Sequence, residues 1–452
     1  MRADMLHIGF DDTDSPRMGC TTYVAALIIE KLTETGIRFI DYPNLIRLNP
    51  NVPWKTRGNG ALCLRVLCED NLYDDVKETV AEIIEENSDL EYEGTEPGVV
   101  FLRGDVPQKI REFAREAIQG IVSIKSALKL IRVSGAEAIG YKSGRGIIGG
   151  LAAVGELLLG DHTFELIAYR RREFWGTPRR IDKSSVLEMD KRMRNQTFNN
   201  VDPETGRILI TPRGPDPVLY GIRGESPEAV KTAHEMIRSH EPIERWVIFR
   251  TNHGTDAHLK TVPWIKDVKP YRPVIVQGTV ERPPKIIPGG HVIFRIRDES
   301  GAIDCAVYEQ GGALRRVASG LIEGDVVRVY GGVRPPSNGN PITINIEKIE
   351  VISLAEKVVF QNPLCPVCGK RLKSMGRGKG FECYKCGFHG PNLTKMAIRV
   401  ERDIRPGLYI APPRSERHLT KPLSRYGLEK RWTEGFRIMR SEEFWGKPHQ
   451  SP

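Results

Sequence analysis

The stretch His7–Tyr23, with the sequence HIGFDDTDSPRMGCTTY, decides what fold is expected at the start of the chain. The apolar run that leads into the first aspartate is typical of a buried strand. Turn residues follow, and from Thr21 onward the apolar residues recur with the period of a helix. Three carboxylates, those of Asp11, Asp12 and Asp14, fall within four positions between the two elements. The stretch therefore predicts a strand-turn-helix unit with an acidic cluster at the carboxyl end of the strand.

Two interpretations of this acidic cluster stay open from the residues alone. Clustered carboxylate oxygens can hold a magnesium ion on the phosphates of a bound nucleotide. Aspartate is also a common turn and capping residue, and in that case the cluster has no chemical role. Three carboxylates so close together are more than one turn needs, which keeps the metal interpretation level with the structural one.

The whole chain limits the possible classes of protein. It has 452 residues, too many for one core, and predicts three or four domains. The formal net charge of +9 is spread along the sequence and fits a polyanionic partner, although a mildly basic protein needs none. No apolar run reaches the length of a membrane helix and the first residues do not form a signal peptide, so a cytoplasmic protein is expected.

Four segments are expected from the patterning. Residues 1–118 follow the order β-α-β-β-α-β, which predicts a ferredoxin-like or related α/β sandwich. Residues 119–268 begin with a glycine-rich stretch and continue as a second α/β sandwich. Residues 269–356 predict five short strands with a short helix before the fourth, the pattern of an OB-fold barrel, which commonly binds nucleic acid. Residues 357–452 carry a cysteine set and then a basic tail, whose contacts the sequence leaves open.

Two loops offer groups for phosphate. The loop 53–60, PWKTRGNG, contains Lys55 and Arg57 and can contact phosphate or RNA, or can be a simple polar hairpin loop. In the second segment, Gly144, Gly146 and a third glycine formally match G-x-G-x-x-G, but no clean strand is predicted before them, which disfavours a dinucleotide fold. A phosphate-binding loop that uses Lys142 and Arg145 is favoured.

The remaining alternative for these glycines is close packing of a helix. A further polar run, FRTNHGTDAH at 249–258, directly follows a predicted strand. Its histidines, His253 and His258, can bind metal or nucleotide, but a pair of loop histidines is more often on the surface, and the surface is what we expect.

The cysteines point to one metal site. Cys365-x-x-Cys368 and Cys383-x-x-Cys386 are separated by fourteen residues, and each pair can supply two thiolates to a tetrahedral zinc ion. Four thiolates leave no open position, so the zinc is structural. Basic and aromatic residues between the pairs suit nucleic-acid binding. The other cysteines lie in apolar runs and indicate a reducing compartment rather than a disulfide framework: Cys20, Cys63, Cys68 and Cys305.

Taken together, these motifs closely resemble one family, the archaeal tRNA-isoleucine 2-agmatinylcytidine synthetases, also called agmatidine synthases. The resemblance covers all four segments and is weakest in the tail after about residue 400. The matching stretches are GFDDTDS from Gly9, CTTY from Cys20, LIRLNPNVPWKTRGNG from Leu45, GRGIIG from Gly144, FRTNHGTDAH from Phe249 and the two cysteine pairs.

The resemblance implies a fold and a reaction. It implies a kinase-like domain at 1–118, a ferredoxin-like domain at 119–268, an OB-fold at 269–356, and a zinc ribbon with a basic extension at 357–452. The implied enzyme is an ATP-dependent tRNA-modifying ligase. ATP phosphorylates the 2-oxo group of the wobble cytidine in a CAU anticodon, and agmatine then displaces the phosphate, with AMP also formed. The modified base reads AUA instead of AUG.

The expected site follows from this chemistry. A phosphoryl group in transfer spreads negative charge, which magnesium held by Asp11, Asp12 and Asp14 would stabilise, with Lys55 or Arg57 as a clamp. The position that matches a self-phosphorylated threonine of the family is Thr21. Agmatine is a dication that needs carboxylates or an aromatic face. The sequence does not locate its pocket, and the candidates are guesses: Asp216, Tyr220 and Glu225.

Two rival functions remain. A non-catalytic protein that binds single-stranded nucleic acid needs only the barrel and the ribbon, with the acids as turn residues. A nicotinamide enzyme would rest on the glycine motif at Gly144.

Overall fold

The structure is a computed structural model that describes residues 3–55, 58–337, 339–433 and 435–447. Within these ranges, no helix combines the length and the apolar character needed to cross a bilayer.

The first α/β unit has the predicted β-α-β-β-α-β order. Its elements are β1 (Ala3–Asp11), α1 (Thr21–Glu34), β2 (Arg38–Phe39), β3 (Asn44–Arg47), β4 (Gly60–Glu69), α2 (Tyr73–Glu86) and β5 (Gly98–Arg103). The antiparallel strands lie in the order β5-β1-β4-β3, as in a ferredoxin-like sheet. The second strand of the predicted order is two short strands, β2 and β3, because Pro43 lies between them and has no N–H group to donate to the sheet.

One face of this sheet is covered by three helices that follow β5 in the chain. The elements are α3 (Gln108–Gln119), α4 (Ile124–Ser134), the edge strand β6 (Glu137–Gly140) and α5 (Gly146–Gly155). Glycines let α5 lie directly on the strands, since a side chain on Gly9 would collide with the backbone of Gly150, and one on Gly98 with that of Ile147. The approach places the first turn of α5 beside the end of β1.

A second unit repeats the pattern of the first. Its elements are β7 (Thr163–Arg170), α6 (Lys183–Arg192), β8 (Thr197–Phe198), β9 (Val218–Gly224), α7 (Pro227–Glu235) and β10 (Ile243–Thr251), and its strand order is β10-β7-β9-β8. Strands β3 and β10 pair in parallel, with Asn44 opposite Arg250 and Leu45 opposite Thr251. The two units therefore share one continuous sheet, and the β3–β10 pair is the seam between them.

A barrel follows the sheet. It is built from β11 (Lys260–Thr261), β12 (Val274–Ile286), β13 (Val292–Asp298), β14 (Gly301–Val307), α8 (Gly312–Gly320), β15 (Val326–Arg334) and β16 (Thr343–Ser353). Strand β12 pairs with both β13 and β15, and β14 pairs with β16, which closes the barrel around a Val- and Ile-rich core. The predicted OB-fold, with a helix before its fourth main strand, is confirmed.

The last segment contains small sheets and a tail that returns to the rest of the molecule. Its strands are β17 (Val358–Gln361), β18 (Lys373–Ser374), β19 (Phe381–Glu382), β20 (His389–Gly390), β21 (Met396–Arg399), β22 (Gly407–Ile410) and β23 (Trp445–Gly446). Strand β22 pairs with β16 of the barrel, and β23 pairs with β10 of the shared sheet. The tail, whose contacts the sequence left open, is thus packed on both.

Candidate active site

A cavity of about 180 Å³ opens where β1 ends. Asp11, Asp12 and Asp14 line it on one side, as the acidic cluster predicts. Thr21, the first residue of α1, lines it as well, and its hydroxyl accepts a hydrogen bond of 3.1 Å from the Thr13 hydroxyl. The sequence-predicted acids and the threonine are therefore neighbours at one opening.

The backbone and a cation hold the middle acid of the cluster. Asp12 has φ of 64°, a left-handed conformation that aspartate tolerates better than most residues and that recurs at functional sites. Its Oδ2 accepts hydrogen bonds from Arg145, from Nε at 3.2 Å and from Nη2 at 2.7 Å. Arg145 also donates to the carbonyl oxygen of Gly94, which fixes the guanidinium against the cluster.

The electrostatics of the cluster suit a cation. Burial, followed by repulsion from Asp12, raises the pKa of Asp11 well above its usual range. Burial also raises the pKa of Asp12, although Arg145 opposes the shift. A divalent cation would relieve this crowding. In the part of the chain that the structure describes, only the four cysteines bring three or more ligand atoms within 4.8 Å of one another, so the acids would have to turn towards a shared ion.

The glycine-rich segment contributes only part of what the phosphate-loop hypothesis assigned to it. Arg145 and Gly146 line the cavity, whereas Lys142 is not among its lining residues and donates to the carbonyl oxygen of Tyr92 at 2.6 Å. Gly144 packs on Ile147. A side chain on Gly149 would collide with the Asp11 carboxylate, so this glycine allows α5 to pack against the acid.

The loop after β3 forms the opposite wall. Lys55 lines the cavity, and burial, followed by the charge of Arg417, lowers the pKa of its amine. Arg57, the other predicted clamp, lies outside the described residues. A side chain on Gly58 would lie 2.7 Å from Nη1 of Arg47, so the loop gives that arginine its space.

Arg47 is a charged cavity residue that sequence reasoning missed. It ends β3 at the seam and lines the acidic cavity. Burial lowers the pKa of its guanidinium, which Glu165 partly opposes from 3.4 Å. The side chain of Asn252 binds both sides of the Arg47 backbone, accepting from its N–H at 2.8 Å and donating to its carbonyl oxygen at 2.9 Å. The signal in the sequence that could have led to Arg47 is indirect. The FRTNHGTDAH run contains Asn252, which binds the backbone of Arg47.

The surface location expected for the two histidines of that run is wrong. His253 is 4% exposed and lies 3.3 Å from Glu165, while His258 is fully buried and lies 3.0 Å from Glu347 of the barrel. Burial lowers the pKa of His253 to about 4, so it packs as a neutral ring. These residues tie the seam and the barrel together.

The four cysteines form the predicted tetrahedral set. The Sγ atoms of Cys365 and Cys386 are 3.5 Å apart, and those of Cys368 and Cys383 are 3.4 Å apart. Zinc–sulfur bonds of about 2.3 Å place tetrahedral sulfurs about 3.8 Å apart, so the set fits zinc. Backbone N–H groups of the knuckle, first that of Cys386, lower the pKa of Cys383, whereas the backbone N–H of Phe388, which lowers the pKa of Cys386, is outweighed by burial and the neighbouring thiols, which raise it.

Comparison with known proteins identifies the modules of the chain. Family models match as follows: "TiaS TCKD domain" at residues 7–72, "TiaS FLD domain" at 144–258, "OB-fold nucleic acid binding domain" at 274–352 and "TiaS C-terminal zinc ribbon domain" at 362–404. A tRNA-isoleucine 2-agmatinylcytidine synthetase TiaS from Methanosarcina mazei is 44% identical over 426 residues, which cover 92% of this chain and 97% of the relative. The chain belongs to the TiaS family.

Further TiaS proteins agree in sequence and structure. The protein of that name from Methanocaldococcus jannaschii is 44% identical over 427 residues, covering 93% of this chain and 98% of its own. A solved complex of TiaS with its isoleucine tRNA and ATP has a TM-score of 0.85 at 42% identity, covering 97% of this chain and 100% of the solved chain. A complex of TiaS with the same tRNA, AMPCPP and agmatine has a TM-score of 0.81 at 40% identity, with the same coverage. The family and multidomain architecture predicted from the sequence are confirmed.

The three residues guessed for the agmatine pocket make separate contacts within the protein. Asp216 forms an ion pair with Arg179 at 3.1 Å. The Tyr220 hydroxyl lies 2.8 Å from Nδ1 of His234. Glu225 binds the tail through Arg425. All three therefore have internal structural contacts.

The zinc ribbon of this chain provides a prediction about metal removal. Stripping zinc with a chelator selective over magnesium should unfold the ribbon, because its small core has little else to hold it, and should weaken tRNA binding by at least about tenfold. ATP affinity should stay unchanged, since the acidic cavity lies on other elements. Filter binding of labelled tRNA, before and after zinc is returned, measures the effect. Equal tRNA affinity in both forms would contradict it.

Proposed function

We propose that this chain joins agmatine to position 2 of the wobble cytidine of the isoleucine tRNA with a CAU anticodon, using ATP to activate the base. The observation that carries the proposal is the acidic cavity at the seam, within a chain that matches TiaS proteins over more than nine-tenths of its length. The 2-oxygen of cytosine is a poor leaving group. Phosphorylation converts it into a phosphate ester, which an amine can displace.

The residues of the cavity suit the first of these steps. We assign Asp11, Asp12 and Asp14 to magnesium, whose charge, when bound, neutralises the phosphates of ATP. Arg145 orients the carboxylate of Asp12 through two hydrogen bonds. Lys55 is the proposed clamp on the opposite wall, and the Thr21 hydroxyl is the proposed acceptor in self-phosphorylation.

The other modules suit the RNA. The target base must leave the anticodon stack to reach a cavity of this size. Within the proposed division of the chain, 1–118 carries the kinase-like chemistry with α5 of the second segment against it, and 269–452 binds tRNA. The ribbon exposes Tyr384, with Lys373 4.4 Å from its ring, a pairing that suits RNA. Because the substrates are tRNA and ATP, we propose that the protein acts in the cytoplasm.

The two rival functions fit the structure less well. A non-catalytic binder has no use for three carboxylates around a cavity in which burial disfavours the charged forms of Asp11 and Asp12. A nicotinamide site needs parallel strands around its glycine turn. Strand β6, which precedes the glycines, is an antiparallel edge strand, and the glycines serve the packing of α5.

The proposal is tested by mass spectrometry of the wobble nucleoside. The protein is incubated with ATP, magnesium, labelled agmatine and the transcribed isoleucine tRNA, and the RNA is digested to nucleosides. We expect 2-agmatinylcytidine in this tRNA and none in a methionine tRNA, which shares the CAU anticodon. An unmodified wobble cytidine, with an active TiaS as positive control, would refute the proposal.

A further inference from the structure

Arg47 is a largely buried cation with few partners among the described residues. Its side chain is 12% exposed, and its one ion pair within that part of the chain, Nη2 to Glu165, is long at 3.4 Å. Its Nε–H is buried and finds no acceptor among the residues that the structure describes. A buried donor left unsatisfied costs about 1–3 kcal/mol, so such a position calls for an explanation.

Two fully buried arginines of the chain form more side-chain hydrogen bonds than Arg47 does. Arg170 donates five hydrogen bonds, including two to Glu241 and two to Thr177. Arg425 donates five as well, to Asp161, Glu225 and the carbonyl oxygen of Gly254. Arg47 differs from both, and it lies at a cavity whose opposite wall is acidic.

Neighbouring residues fix the backbone of Arg47 but leave donors of its guanidinium without an acceptor among the described residues. Asn252 fixes its backbone from the second unit through two hydrogen bonds. Glu165, also from the second unit, is shared with Arg223 at 3.1 Å and with His253 at 3.3 Å, so its charge is only partly available. The backbone of Arg47 is therefore fixed at the cavity, and its guanidinium keeps donors for an anion there.

We propose that Arg47 is a catalytic residue that binds the phosphoryl group during its transfer from ATP to the cytidine, with Asn252 and Glu165 as its positioning residues. The inference rests on the proposed function. One P–O bond to the nucleotide breaks, its electron pair leaves with the nucleotide oxygen, and one P–O bond to the cytosine 2-oxygen forms. The planar guanidinium donates N–H bonds to the oxygens on which charge spreads.

Arg47→Ala and Arg47→Lys test the role in a single-turnover assay of labelled phosphate transfer from ATP to the isoleucine tRNA. We expect Arg47→Ala to lower the rate by about 10³-fold or more, as for other arginines at phosphoryl transfer, while the Kd values of tRNA and ATP change by less than about threefold. Lysine should not restore the rate, because it lacks the fork. Added guanidinium should partly restore Arg47→Ala, which a purely structural role would not allow.

Arg245→Lys is the matched control. Arg245 is also buried, with an Nε–H that finds no acceptor in the described part of the chain, but it pairs with Glu30 and Glu244, away from the cavity. Its variant should transfer phosphate within about threefold of the unaltered rate. Asn252→Ala should lower kcat without changing the KM for ATP, and should add no further loss to Arg47→Ala, since both act through one group.

The outcomes separate the two claims. If the unaltered protein transfers phosphate and Arg47→Ala transfers it at the same rate, the role of Arg47 alone is overturned. The role is also overturned if Arg47→Ala loses transfer together with tRNA or ATP binding and added guanidinium does not restore the rate. No transfer by the unaltered protein would overturn the proposed function and this inference with it.

Discussion

Asp12→Asn should nearly abolish phosphate transfer to the isoleucine tRNA, lowering the single-turnover rate by at least about 10²–10³-fold. The substitution removes one charge from the group that we assign to magnesium and leaves the shape of the side chain. Asparagine tolerates the φ of 64° at this position, whereas alanine would add backbone strain. Arg145 keeps an oxygen acceptor on residue 12 and its bond to Gly94. The fold should therefore survive, and the loss should be chemical.

The measurement is labelled phosphate transfer in a single turnover, beside tRNA binding and thermal unfolding of the same samples. Asp70→Asn is the control: its acid is 77% exposed and pairs with Arg103 outside the cavity, so its removal should change the rate by less than about twofold. Transfer by Asp12→Asn at the unaltered rate would mean that the aspartates are turn residues, as in the non-catalytic alternative.

The parts of this site that the sequence predicted are local in the chain. The strand, the acids and the helix start occupy adjacent positions, and the four cysteines follow fixed spacings, so a pattern suffices to place them. Arg47 could not be found in this way. Its backbone is fixed by Asn252, which is 205 positions away, and that contact depends on the parallel pairing of β3 with β10. Nothing in either strand alone specifies this pairing.

The sequence left the role of the glycines open, and its prediction for the histidines was wrong, for a related reason. A glycine permits close approach by an anion or by a strand, and the sequence does not say which. In this protein the neighbour of Gly149 is Asp11, and that of Gly150 is Gly9. The polar run around the histidines predicts a surface location for them. Their burial is possible because acids from other segments, such as Glu347, reach them, and such pairs are invisible to a local pattern.

Arg425→Met should weaken the docking of the tail by about 1–3 kcal/mol, the range for removing one partner of buried hydrogen-bonding groups. Arg425 is 1% exposed, although it belongs to the basic tail whose contacts the sequence leaves open. It donates to both Asp161 and Glu225 on the second unit. Methionine matches its length but removes the guanidinium that both carboxylates share, so Asp161 keeps Lys421 at 3.3 Å and Glu225 keeps Lys430 at 2.9 Å.

Detachment should also lower activity, since the tail residues 416–419 line a cavity of about 330 Å³ that shares Arg47 and Lys55 with the acidic one. Hydrogen exchange and limited proteolysis of the tail measure the docking, and phosphate transfer measures the consequence. Arg440→Met is the control, because the Arg440 side chain is 86% exposed and lies 3.9 Å from Glu443.

Arg425→Lys separates charge from shape. Lysine keeps a positive charge beside Asp161 and Glu225, so part of the protection of the tail that Arg425→Met loses should return. If Arg425→Lys instead exchanges and is cleaved as fast as Arg425→Met, charge alone does not hold the tail, and the planar guanidinium, which packs 5.7 Å from the Phe198 ring, is required.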